Sequence, residues 1–255
     1  MRPRWQPCVG WHTAAPRRCR QTVLTTATES HRVPADDNRL IEQLPRPDRL
    51  RLLDAAEAVQ LLPAQVLQEL GEPTRHVYFP STGYIALVAL VDQQSGLAVG
   101  LVGFEGMLGV QLAMGVVTAP QRALVQGPGT AWRIGRVAFR RELARSSALR
   151  GGLSRYVALL MAQLASTAAC LHFHEIGPRL ARWLLMNHDR AGVDHFHITH
   201  ELLAGLLGAR RVGITVAAGR LQRLGLIHYH RGEVQVLDRA GLEAAACGCY
   251  ESDRL

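Results

Sequence analysis

The stretch from Ile198 to Ile227, ITHELLAGLLGARRVGITVAAGRLQRLGLI, constrains this chain more than any other, because its residues fall into the pattern a helix-turn-helix imposes. With His200 counted as the first position, the small or apolar places fall on Leu203, Ala204, Leu207, Ala209, Ile214 and Ala217, and the turn falls on Gly208. The apolar members form a small core between two helices, Ala204 lets the helices cross closely, and Gly208 supplies a positive φ at the turn. Thr199 precedes the first helix as an N-cap, its hydroxyl accepting from a free backbone N–H. Arg210 and Arg211 open the second helix, and Val212, Gly213, Thr215 and Val216 follow on the face that the core leaves free. Two guanidiniums, a hydroxyl and small apolar groups suit entry into a major groove. The plainer alternative, a helical hairpin with solvated arginines, leaves the coincidence of so many positions unexplained.

The following residues extend the motif. Gly225-Leu226-Ile227-His228-Tyr229-His230 and Val234-Gln235-Val236-Leu237 flank Arg231-Gly232-Glu233, which reads as a β-hairpin and makes the unit a winged helix-turn-helix. Here the chain resembles the Crp/Fnr family of bacterial transcription regulators, over roughly Asn38 to Tyr250. The text GLIHYHRGEVQVLDRAGLEAAACGCY resembles a branch of that family ending in a short helix with a Cys-x-Cys. The resemblance implies an α+β fold: residues 1–36 as a tail, 37–145 as an antiparallel, jelly-roll-like β-roll sensor domain similar to cyclic-nucleotide-binding domains, 146–175 as a long dimerisation helix, and 176–255 as the DNA-binding domain. It also implies a homodimer on pseudo-palindromic double-stranded DNA, RNA polymerase as a partner, and allosteric control by a small-molecule effector.

Composition agrees. The chain of 255 residues is long enough for two cores, and all 29 of its basic residues are Arg, for a net charge of +8. Genome composition accounts for the whole-chain value equally well, but between Ile198 and Arg231 five Arg stand against the single Glu201, a local excess that fits a polyanion. The five cysteines, Cys8, Cys19, Cys170, Cys247 and Cys249, have no regular spacing, which points to a reducing cytoplasm. No run of apolar residues reaches the roughly 18 of a membrane span, so no membrane partner is expected. Residues 1–36 are rich in Arg, Pro, Thr and Ala and are expected to be disordered; Arg17-Arg18 mimics an export signal, but no apolar segment follows it, and a start placed upstream of the true one would look the same.

Next, Asn38 to Glu57 reads as one or two short helices broken at Pro45 and Pro47, with Leu40, Ile41, Leu44, Leu50, Leu52 and Leu53 as the buried stripe. Strands are expected over 59–62, 75–79, 84–91, 97–102, 122–125 and 130–134, separated by Gly and Pro. By resemblance, the segment 103–125 corresponds to the phosphate-binding cassette, and Gly109, Val110, Gln121 and Arg122 would line the effector pocket. Val110 stands where a carboxylate would hold the ribose, and Gln121-Arg122 stands where Arg and a small hydroxyl residue belong, so cyclic AMP is not expected. The cluster of the family's oxygen-sensing branch needs four cysteines, and residues 59–134 contain none, so an iron–sulfur cofactor is not expected either.

A short helix over 136–145 leads into the longest periodic segment, where Leu149, Leu153, Tyr156, Val157, Leu160, Met161, Leu164, Thr167, Ala168 and Leu171 recur at spacings of three and four. A stripe packed on its own β-roll is the plainer reading. A symmetric reader gains from a partner, so Leu153, Val157, Leu160, Leu164, Ala168 and Leu171 are expected at a dimer interface. Gly177-Pro178 is read as a hinge before an amphipathic helix with Leu180, Trp183, Leu184 and Met186 inward. His172, His174, His195, His197 and His200 are scattered, and Cys247 and Cys249 have no second pair at finger spacing, so no metal ligand is assigned. No nucleophile with base and orienting group and no P-loop appears, which argues against an enzyme. Arg210, Arg211, Thr215 and His200 are expected at base edges or adjacent phosphates, with Arg220, Arg231 and the backbone at Thr199 on phosphates. Two other readings stay open: a constitutive DNA-binding dimer whose roll is a ligand-free scaffold, and a metal or redox sensor built on the His and Cys residues.

Overall fold

The computed structural model describes residues 38–91 and 95–253. The expected tail over 1–36, with Cys8 and Cys19, lies outside them.

The chain enters through α1 (Arg39–Glu42) and α2 (Arg46–Asp54). The buried Asn38 side chain caps α1 by accepting from the Leu40 and Ile41 N–H groups, and its amide donates to Pro80 O and Gly106 O, which ties this end to the roll. Pro47 sits in the first turn of α2, where its missing N–H costs nothing. Leu40, Ile41, Leu44 and Leu52 are buried as expected, but Leu50 is 56% exposed because two residues along a helix turn it about 200° away from Leu52.

Seven strands build the roll: β1 (Ala56–Leu61), β2 (Val66–Gln68), β3 (His76–Pro80), β4 (Tyr84–Val91), β5 (Ser95–Val102), β6 (Arg122–Gly127) and β7 (Gly129–Gly135). They form two antiparallel sheets, β1-β7-β3 and β2-β6-β4-β5. Ile85, Leu87, Val102, Ala123, Val125 and Ala131 meet Leu61 and Tyr78 between the sheets. A 3-10 turn, Val110–Met114, closes one end. The helix α3 (Arg136–Arg145) follows with the bounds read from the sequence, and α4 (Ser147–Phe173) runs for 27 residues along the roll. Ser146 caps α4 by accepting from the Leu149 N–H.

The helix α4 is long and apolar enough for a membrane span by length and composition, contrary to the expectation for apolar runs. Only part of the apolar surface of α4 is covered within the chain: Leu149, Leu153 and Tyr156 are buried against Phe79, Val110, Ile134 and Phe139, and the buried Gln163 accepts at 2.9 Å from the Leu101 N–H of β5, whereas Leu159 and Met161 are exposed.

The C-terminal part comprises α5 (Ile176–Ala191), β8 (His195–His197), α6 (His200–Leu206), α7 (Arg211–Arg223), β9 (Ile227–His230), β10 (Glu233–Val236), α8 (Arg239–Ala245) and α9 (Cys249–Asp253). The sheet order is β8-β10-β9. Leu180, Trp183, Leu184 and Met186 face inward as the helical period required. The break between α4 and α5 falls at His174 and Glu175, and Gly177-Pro178 lies inside the first turn of α5 rather than at a hinge. One apolar core joins the two parts: Tyr84, Ala86, Val88, Ala98 and Leu101 of β4 and β5 pack with Leu180 and Leu184 of α5 and Leu206 and Leu207 at the end of α6. The almost fully buried Arg190 of α5 pairs at 2.8 Å with Glu105 in the loop after β5. Removing one partner of such a pair would cost about 3–5 kcal/mol, because the other charge stays buried.

Candidate nucleic-acid interface

Leu203, Ala204, Leu207, Ile214 and Ala217 are all buried, and they form the core between α6 and α7 that the spacing required. Thr199 caps α6, its hydroxyl accepting from the Leu202 N–H. Gly208 adopts φ +58° at the turn, and the two helices are bent by 110°. With these positions held by the core, α7 turns its other face outward: Arg211 has a 70% exposed side chain, and Val212 and Val216 are 73% and 64% exposed. Glu201 lies 3.7 Å from Arg211, an exposed pair worth little, so the guanidinium is free to exchange partners. A Cβ at Gly213 would meet no protein atom, leaving this part of the helix open to close approach.

Thr215 and His200 have structural work as well. The Thr215 hydroxyl donates to Arg211 O at 3.1 Å, so its contact with His200 Nδ1, also 3.1 Å, requires the imidazole Nδ1–H to donate. His200 is half-buried, stacks on Tyr229 at 4.4 Å, and is held below the ordinary imidazole pKa by burial and by Arg211. His200 therefore has a structural task at the joint between α6, Thr215 and the wing. Tyr229 completes the joint by donating to Ile198 O.

The wing is the β9–β10 hairpin, paired His230 to Glu233 across the two-residue turn Arg231-Gly232. Both turn residues have positive φ, +50° and +89°, as a type I′ turn demands. The Arg231 side chain is exposed at this tip, and Arg210 and Arg220 are exposed on and beside α7. Among the other histidines, His172 and His195 are exposed, and His197 Nδ1 lies 2.7 Å from Glu233.

In the roll, Gly109, Val110 and Gln121 line a cavity of about 200 Å³ together with Met107, Leu160 and Leu164. Arg122 does not line it, because its Nε donates at 2.8 Å to Glu69 on the other side of the strand pair. The polar groups at the cavity are the amides of Gln68, Gln111 and Gln121, and Gln111 already donates to the Thr74 hydroxyl. Among the described residues no charged side chain lines it, so an anionic cyclic phosphate would meet no counter-charge from them.

Of the residues expected at a dimer interface, Leu153 is buried in the protomer's own core, Val157, Leu160, Leu164 and Leu171 are half-buried, and Ala168 is exposed. The outward face of α4 carries Ala158, Met161, Ala162, Ala165 and Ala169 together with the expected Ala168.

One grouping was missed in the sequence. Cys170 and His174 at the end of α4 meet Cys247 and Cys249 beside α8 and α9, with all four candidate ligand atoms within 4.8 Å of one another. Cys247 and Cys170 sulfurs lie 3.4 Å apart, and Cys249 sulfur lies 3.6 Å from His174 Nδ1. The available signal was the Cys-x3-His spacing, which places two ligands one turn apart at a helix end.

A β-roll, a long helix and a winged helix-turn-helix with an exposed, arginine-bearing second helix define the architecture. Residues 178–245 match the Crp-like helix-turn-helix domain, and the fold is that of Crp/Fnr-type transcription regulators. FixK2 from Bradyrhizobium japonicum superposes with a TM-score of 0.64 at 14% identity, over 76% of this chain and 98% of that one. The c-di-GMP-responsive global regulator CLP of Xanthomonas campestris gives 0.62 at 16%, over 75% and 99%. A Crp/Fnr-family regulator from Thermus thermophilus gives 0.60 at 21%, over 74% and 98%. No curated protein matches the sequence.

Proposed function

We propose that the chain is a sequence-specific transcription regulator that acts as a homodimer, lays α7 of each protomer in the major groove of a pseudo-palindromic site, and sets the wing against the adjacent backbone. The observation that carries this reading is the outward face of α7, where Arg211, Val212 and Val216 project beside an open Gly213. Arg210 and Arg211 are the base readers, a good bidentate contact to guanine contributing about 1–3 kcal/mol of discrimination. Arg220 and Arg231 hold phosphates and so fix register. The outward face of α4 is where the second copy sits, its alanines allowing two helices to approach closely. Cellular placement follows from this role: a duplex reader that recruits RNA polymerase works in the cytoplasm.

The roll receives the signal in this scheme, and the uncharged cavity argues for a ligand other than a cyclic nucleotide. The same cavity supports a second reading, in which the roll is a scaffold and the dimer binds DNA constitutively. Melting the protein against a panel of small molecules separates the two, since a ligand that binds only the folded state raises the midpoint.

Selection of bound duplexes from a random pool tests the main proposal. A two-fold motif with half-sites about 10 base pairs apart is expected. Arg211→Ala should then weaken binding to that motif by about tenfold, in keeping with the loss of one bidentate contact, with dimerisation and melting midpoint unchanged. A variant that binds as tightly as the parent removes α7 from the role of reader.

A further inference from the structure

The geometry points to a single-ion metal site, formed by the thiolates of Cys170, Cys247 and Cys249 and the imidazole of His174, that takes one tetrahedral divalent ion of the zinc type. The inference does not depend on the DNA-binding reading.

Four donors, three sulfurs and a nitrogen, converge from two separate parts of the chain, and their type matches a closed Cys3His site. A zinc ion with bonds of about 2.3 Å to sulfur places the sulfurs of a tetrahedron about 3.8 Å apart. The Cys170–Cys247 separation of 3.4 Å and the Cys249–His174 separation of 3.6 Å are within a few tenths of an ångström of that edge. The overall spread of 4.8 Å suits one ion better than an iron–sulfur cluster, which spreads its protein ligands over several irons. All four positions are filled by protein, so the site has no open place for water or substrate and is structural or regulatory rather than hydrolytic. Soft thiolates favour zinc over magnesium or calcium.

The surroundings are those of an anionic centre. On binding, each thiol releases its proton to solvent, and a dipositive ion with three thiolates and a neutral imidazole carries one net negative charge. The buried Arg182 guanidinium faces Cys170 while it donates to Asp253 at 2.6 Å and to the Thr167 hydroxyl at 3.1 Å. Arg179 lines the same small cavity as Cys170 and Arg182, and it also donates to Leu207 O at the helix-turn-helix turn. Second-shell donors of this kind fix ligand orientation and offset charge. Cys249 and His174 are half-buried, which leaves an entry path, while Cys170 and Cys247 are buried.

The consequence is a clamp. Cys170 and Cys247 are 77 positions apart, so the ion ties the last turn of α4 to the segment between α8 and α9, across the break at His174 and Glu175. Binding there stabilises the arrangement of the long helix against the DNA-reading part.

The test uses the full chain, reduced and metal-free, titrated with Zn²⁺ and separately with Co²⁺. One ion per chain is expected, with the melting midpoint rising as zinc is added and with the intense visible bands and thiolate charge-transfer absorption of tetrahedral cobalt. Cys8→Ser with Cys19→Ser should leave both signals intact. Cys249→Ser with His174→Ala, at half-buried positions, should abolish the cobalt spectrum while circular dichroism shows the helices retained. The inference is overturned by no metal uptake in the reduced parent protein, by the pale spectrum of octahedral cobalt, by stoichiometric binding that survives the Cys249/His174 double change, or by acid-labile sulfide in the native protein. The cobalt spectrum of the parent decides the matter even if the variants fail to fold.

Discussion

His200 shows how one side chain can tie two helices and a hairpin together. Its Nδ1–H donates to Thr215, its ring stacks on Tyr229, and burial together with Arg211 disfavours its charged form. The folded-state pKa thus lies below the unfolded value of about 6.5. The unfolded chain then binds more protons in the window below that value, so this residue's contribution is intact above about pH 6.5 and is lost as pH falls toward the folded pKa. His200→Gln, which keeps a donor toward Thr215, should flatten the fall of melting midpoint between pH 6.5 and pH 5. Identical slopes in parent and variant would mean that the stacked imidazole titrates freely. Little of this was legible beforehand, because the helix-turn-helix pattern places position one at the start of the first helix but says nothing of which way its ring turns. Leu50 teaches the same lesson in reverse: its hydrophobicity suggested burial, and helix phase overrode it.

Among the elements, the wing gives the sharpest expectation. Arg231 occupies φ +50°, a conformation that costs a side chain more than it costs glycine, at the tip of a hairpin whose other turn residue is Gly232. Arg231→Gly should leave the melting midpoint equal or higher while weakening duplex binding, and it should reduce the slope of log affinity against log salt by about one. An unchanged salt slope would place the wing off the phosphates. Strongly periodic elements were legible: α3 has its expected bounds, and α6, α7 and the hairpin lie where their spacing put them. The strands β2 and β8, three residues each, were not, since neither is long enough to show alternation. The four-residue thiol and imidazole group escaped for a different reason. Ligand spacing is a local signal, and here one pair lies on a helix end and the other beyond a whole winged helix.

At the scale of the molecule, the exposed alanines of α4 predict where two copies meet. In the proposed dimer, Ala165→Glu would set like charges against each other near the two-fold axis, and should give a monomer in sedimentation while lowering duplex affinity. A dimer that persists would move the interface to another face. The effector, the operator and the sign of regulation are not legible in the chain, since they depend on partners whose chemistry its residues only bound.

The shared core of β4, β5, α5 and α6 changes what kind of machine this is. A loose tether would let the reading head swing, and the force needed would be small. Interdigitated side chains, with Arg190 and Glu105 locked beneath them, permit only short sliding steps between packed layers. Under the proposed function, a signal crossing such a body would move it as a gear slips by one tooth, in a discrete step, and Leu207→Ala would loosen that step.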